Sequence, residues 1–189
     1  MGGVLEIKAE SDGVTMHVPF DTDLVVGSHS GSVELLGRLG SVRITTRSGR
    51  VEVEDCASVD VRTVGGRVEI GTVRGEGRVI SGSGRVTIGR IDGPLHVATV
   101  SGRIEVAEAA APVRANTVNG RVDIGMSAAA DARADSVSGR VTIDLPDGVH
   151  PKTSLMSVSG RCVCETEEGD DCCVTGRTVS GRITVRERR

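Results

Sequence analysis

Residues 99–106 read Thr99-Val100-Ser101-Gly102-Arg103-Ile104-Glu105-Val106, and the same phrase returns at 117–124, with Asn119 for the serine, and at 178–185. Relaxed slightly, it occurs nine times, on Gly31, Gly49, Gly66, Gly84, Gly102, Gly120, Gly139, Gly160 and Gly181, at spacings of 18, 17, 18, 18, 18, 19, 21 and 21 residues. A period of this length marks one short unit stacked on itself. The units are called here coils one to nine, in chain order.

Alignment on the glycine gives each position a task. Two and four residues after it stand apolar pairs such as Val51/Val53, Val86/Ile88 and Ile183/Val185, with a mostly polar residue between them. This alternation, rich in β-branched side chains, predicts a strand with one buried face. Three residues before the glycine every coil has a hydroxyl: Ser28, Thr46, Thr63, Ser81, Thr99, Thr117, Ser136, Ser157 or Thr178. Parity puts it inward beside an apolar residue two positions earlier, where stacked hydroxyls are expected to satisfy one another and the backbone. An outward threonine ladder, as in ice-binding solenoids, has the wrong parity. A third apolar point follows at Leu39, Cys56, Val73, Ile91 and Ala109.

The expected fold is therefore all-β: a single-domain parallel β-solenoid of about nine coils of 17–21 residues. By the general chirality of parallel crossovers a right-handed winding is expected. Nine layers at ~4.8 Å stand roughly 40 Å tall. An antiparallel meander of hairpins is the structural alternative, since Asn119-Gly120 alone would suggest a tight hairpin. Residues 1–23 read as the start of the sheet or an N-terminal cap of the solenoid, with 4–20 resembling a hairpin through Ser11-Asp12-Gly13 and Phe20 plugging the first coil, and 24–189 as the repeats. The C-terminal strand ends in Arg186-Glu187-Arg188-Arg189, charges that would discourage end-to-end growth.

Composition agrees. There is no Trp or Tyr and one Phe, against 26 Gly, which suits thin layers of medium-sized side chains. The net charge of −3 gives no reason to expect nucleic acid. Met1-Gly2-Gly3-Val4-Leu5-Glu6 lacks the basic and apolar regions of a secretory leader, so a cytoplasmic protein is expected, touching membranes only peripherally.

Arginine follows the glycine in eight of nine coils: Arg50, Arg67, Arg85, Arg103, Arg121, Arg140, Arg161 and Arg182, with Ser32 in coil one. The stack would align them in a column. Glu52, Glu69, Glu105 and Asp123 lie two residues on and can pair with their arginines in a surface lattice. Thr87, Thr142, Val163 and Thr184 take that place in the other four, so Arg85, Arg140, Arg161 and Arg182 are the candidates for binding a partner.

Cys162 and Cys164 occupy the apolar pair of coil eight and read first as small buried hydrophobes. A second reading joins them to Cys172 and Cys173 in a metal site, against the unfavourable spacing. A disulfide is a third, in an oxidising compartment. Glu165, Glu167, Glu168, Asp170 and Asp171 form an acidic loop without the ligand spacing of a calcium site. His17, His29, His96 and His150 fall at unrelated phases of the repeat. No enzyme and no cofactor are expected.

The recurring Thr-Val-Ser-Gly-Arg phrase, Val18-Pro19-Phe20-Asp21 ahead of the first coil and Leu145-Pro146-Asp147-Gly148 late in the chain resemble the toastrack domains, a bacterial β-strand-repeat family that also carries an adhesin label. The resemblance implies a solenoid scaffold, in some members tied to envelope-stress or membrane-associated signalling. More distantly the chain is similar to bactofilins, solenoids that polymerise end to end. Three roles follow as expectations: a scaffold for a protein partner, a homo-oligomer stacking through its ends, or a binder of anionic polymer or lipid.

Overall fold

The computed structural model describes residues 4–9, 14–17 and 21–188. Among them all strand pairings are parallel, which excludes the meander. Sixteen strands form one continuous sheet wound as a solenoid. They are β1 (Val4–Ala9), β2 (Val14–His17), β3 (Asp23–Ser28), β4 (Val33–Thr46), β5 (Arg50–Val73), β6 (Gly77–Ile91), β7 (Leu95–Thr99) and β8 (Arg103–Ala109). Then come β9 (Val113–Thr117), β10 (Arg121–Met126), β11 (Ala132–Ser136), β12 (Arg140–Leu145), β13 (Pro151–Ser157), β14 (Arg161–Cys164), β15 (Cys172–Thr178) and β16 (Arg182–Glu187). Among the described residues no helix is long and apolar enough to cross a membrane.

The repeat positions stack in register. Val68, Val86, Ile104, Val122 and Val141 form one buried row along adjacent layers, and Val61, Val79, Val97, Ala115 and Ala134 another. Leu39, Cys56, Val73, Ile91 and Ala109 close the third side, all fully buried. The glycine is required where the turns pile up. Gly66 has φ of +129°, and a Cβ there would be driven into the carbonyl oxygen of Gly49 in the layer before.

The inward hydroxyls depart from expectation. Eight of the nine are buried and Ser157 is half-buried, but Thr46, Ser81, Thr99 and Thr117 have no hydrogen-bond partner among the described residues for their hydroxyl oxygens. The other five coils use the group: Ser28 accepts from the Gly31 N–H at 3.2 Å, Thr63 donates to the Gly65 carbonyl at 3.0 Å, and Ser136 accepts from the Gly139 N–H at 2.9 Å, Ser157 from Gly160 at 2.7 Å and Thr178 from Gly181 at 2.9 Å.

The N-terminal segment is also not a hairpin. β1 pairs in parallel with β3, and β2 with β4, so the two strands form a further layer beneath coil one. Phe20 lies outside the described residues.

The largest departure is the order of the layers. β15 pairs with β11 on one side and β13 on the other, and β16 lies between β12 and β14. Coil nine is thus inserted between coils seven and eight, and coil eight is the outermost layer. Arg186, Glu187 and Arg188 do not fringe the stack end, and Arg189 lies outside the described residues. Arg186 instead bonds Asp144 of coil seven at 2.6 Å, and the Arg188 N–H donates to the Leu145 carbonyl at 2.8 Å.

The two 21-residue spacings make this order possible. Three extra residues reach roughly 10 Å when extended, enough to skip a layer of ~4.8 Å on the way out and again on the way back. The loop contacts hold the result: the Cys173 N–H donates to Asp131, Gly148 to Glu187 and His150 to Asp171, each at 2.8–2.9 Å. Burial explains why this order wins. Coil nine turns Val174, Ile183 and Val185 inward, all fully buried. Coil eight offers Thr153, Leu155, Cys162 and Cys164, a less apolar set that loses less by facing solvent.

Candidate interaction surface at the turn corner

The Ser-Gly-Arg turns stack by backbone hydrogen bonds from layer to layer. The Asn119 N–H donates to the Val100 carbonyl, Ser138 to Val118, Ser180 to Val137 and Ser159 to Val179, at 2.8 Å each. Arg121 donates to Gly102, Arg140 to Gly120, Arg182 to Gly139 and Arg161 to Gly181 at 2.9–3.1 Å. The arginines consequently form the expected column. Arg85, Arg103, Arg121, Arg140, Arg182 and Arg161 stand opposite one another in consecutive layers.

The column is not uniform. Arg50 pairs with Glu52 at 3.2 Å, Arg67 with Glu69 at 3.7 Å and Arg121 with Asp123 at 2.8 Å. The expected fourth pair, Arg103 with Glu105, does not form. Such exposed pairs contribute little stability, about 0–1 kcal/mol each, but they neutralise that part of the column. Of the four arginines singled out from the sequence, three come together. Arg140, Arg182 and Arg161 occupy three adjacent layers and none is in an ion pair among the described residues. With Ser138, Ser180 and Ser159 and the three glycines they line a polar cleft of about 590 Å³. Arg85 stands apart from them, beside Arg103.

A second column went unread in the sequence. The residue before the Ser-Gly pair is Val100, Val118, Val137, Val179 and Val158 in the last five layers, between 40% and 82% exposed. Parity carries the signal: the hydroxyl one position earlier points inward, so this valine must point out. The arrangement leaves an apolar groove of about 380 Å³ along Ile80, Ala98, Val100, Val118 and Val137. Earlier coils have His29, Arg47, Val64 and Gly82 at this position, so an unbroken apolar stripe exists only toward the coil-eight end.

The four cysteines of the last coils do not converge. Cys172 and Cys173 begin β15, whereas Cys162 and Cys164 lie on β14, across the turn. All five cysteines are free, and no described group of three or more His, Cys, Asp and Glu could hold a metal ion. Because coil eight is outermost, Cys164 is exposed and Cys162 only half-buried, which corrects the reading of both as buried hydrophobes. Cys56 is the buried thiol of the central stack. Burial, then the Asp55 carboxylate, pushes its pKa up to about 12. Burial also raises that of Cys172.

Comparison with curated proteins and with solved structures finds no match. One family model, described as Toastrack DUF4097, matches residues 1–186. Its extent agrees with the repeats, which stack without a break from β3 to the outermost layer, and the chain belongs to the Toastrack DUF4097 family.

Proposed function

We propose that the protein is a non-enzymatic interaction scaffold that docks an apolar segment of a protein partner along the valine column. The observation that carries this reading is the alignment of five exposed valines, one per layer, on a rigid stacked corner. A contiguous apolar stripe on a polar surface is a common mark of an interaction site. A solenoid suits the task, because its fixed layer spacing presents the same side chain repeatedly to an extended partner. The cytoplasm is the proposed location, and membrane-associated signalling the proposed setting.

A photo-crosslinking residue placed at Val118 or Val137 in cells tests the reading. It should give a discrete adduct with a protein, lost when Val100, Val137 and Val179 are changed to Asp. The same adduct from a probe at Thr87, on another face, would refute it.

End-to-end self-assembly is the second reading, supported by the outer edges of β1 and β13, which pair with no further strand among the described residues. A strictly monomeric mass by light scattering at high concentration rules it out.

A further inference from the structure

We propose that the cleft of the three stacked turns, Ser138-Gly139-Arg140, Ser180-Gly181-Arg182 and Ser159-Gly160-Arg161, is a binding site for a ligand carrying phosphoryl groups. The site is distinct from the valine column and does not depend on the protein-docking reading.

Donor availability is the first argument. The turn N–H groups are occupied: those of the serines and arginines by carbonyls of the preceding layer, and those of the glycines by Ser136, Thr178 and Ser157. The serine hydroxyls also reach back, Ser180 to the Val137 carbonyl at 3.4 Å, Ser159 to Val179 at 3.2 Å and Ser138 to Asn119. The guanidinium groups are what remains. Each carries five N–H donors, and none of the three makes a hydrogen bond or ion pair among the described residues. The cleft therefore offers donors and positive charge, with no carboxylate on its lining.

Geometry is the second argument. Three equivalent arginines repeat at the ~4.8 Å layer spacing along a straight line. Their side chains are exposed, and the positions two residues on are Thr142, Thr184 and Val163, so no acid competes for them. A planar carboxylate spends both oxygens on one guanidinium fork. A phosphoryl group has a further oxygen and can bridge two neighbouring forks. The linear repeat thus fits two or more linked phosphoryl groups better than a single anion, whether from a free oligophosphate or from phospholipid headgroups.

Calorimetry of the full chain with sodium tripolyphosphate, and sedimentation with phosphatidylcholine vesicles with and without phosphatidylglycerol, separate the two sources. The test variant is Arg140→Ser/Arg161→Ser/Arg182→Ser. Serine already fills this position in coil one as Ser32, so the turn accommodates it. The control is Arg50→Ser/Arg67→Ser, which removes arginines that have their own acids. Circular dichroism establishes that both variants are folded.

Binding of tripolyphosphate at low salt, weakened at least about tenfold in the triple variant and little in the control, supports the site with a free oligophosphate as ligand. The same pattern only with phosphatidylglycerol vesicles supports it with a lipid headgroup. Absence of binding to either probe, equal losses in both variants, or equally tight binding of polyglutamate at the same arginines overturns the proposal.

Discussion

Exchanging Ile183 for Ala tests the order of the layers, because the cost of that substitution depends on which coil is outermost. In the order seven, nine, eight, Ile183 is fully buried between Val141 of coil seven and Cys162 of coil eight. Truncation to Ala removes three carbons at about 0.8 kcal/mol each. A cavity penalty follows, since the adjacent Gly176 has no side chain to move in: its missing Cβ is covered by Ile183 itself and by Leu155. The sum is about 3–4 kcal/mol, within the range for buried Ile→Ala. Cys162→Ala, at the equivalent position of the half-buried outer coil, should cost below about 1 kcal/mol. For a chain of this length the first substitution lowers Tm by roughly 10 °C and the second by at most a few degrees. Denaturant unfolding of both variants gives the two values. Native-state hydrogen exchange supplies an independent readout: amides of β13 and β14 should exchange first, and those of β15 and β16 should be better protected. If coil nine were the last layer, both rankings would reverse. A Cys162→Ala variant at least as destabilised as Ile183→Ala, with β15 and β16 exchanging first, would refute the inserted coil.

Two further outcomes follow from the interior. Thr117→Val should be neutral or stabilising by up to about 1 kcal/mol, because the Thr117 hydroxyl has no partner to lose, whereas Thr178→Val should cost about 1 kcal/mol by depriving the Gly181 N–H of its acceptor; thermal melts of the two variants compare them. With a pKa of about 12, Cys56 stays a buried thiol at pH 8 and should resist a disulfide reagent while exposed Cys164 and Cys173 react within minutes, and equal labelling of all three would contradict the packing around Cys56.

Much of the coil was legible because a solenoid repeats its local physics. The alternating apolar pair, the inward hydroxyl and the turn glycine each recur nine times, so parity could be read without structural knowledge, and Leu39, Cys56 and Val73 announced the third side. The start of the sheet was legible at the N-terminus, but its pairing was misread because Ser11-Asp12-Gly13 resembles a hairpin turn on its own. A shift of 19 residues aligns Leu5 with Leu24, Ile7 with Val26 and Met16 with Leu35, and β1 and β2 adopt that register with β3 and β4. The valine column was missed for a simpler reason. An apolar residue next to a strand is readily credited to the core, although Val118 follows an inward Thr117 and so must face outward.

The order of the last layers could not be read from the repeat itself, because equivalent turns stack in the same register in any order. What could indicate it were the departures from the repeat. Each has an ordinary explanation alone: two longer spacings are loops, two cysteines are small core residues, and missing acids beside Arg140, Arg161 and Arg182 are surface variation. Together they fall on one end of one stack. The longer spacings let coil eight pass over coil nine. The cysteines occupy the apolar pair of the coil left facing solvent, where Val or Ile would lose the most by exposure. The unpaired arginines and the unbroken valine stripe then meet at that same end, on the corner of coils seven, nine and eight. In coils two and three, by contrast, the same corner holds arginines already paired with Glu52 and Glu69. The regular coils five and six begin the valine stripe, and the irregular ones carry it to the outermost layer and set beside it the three arginines of the proposed phosphoryl site.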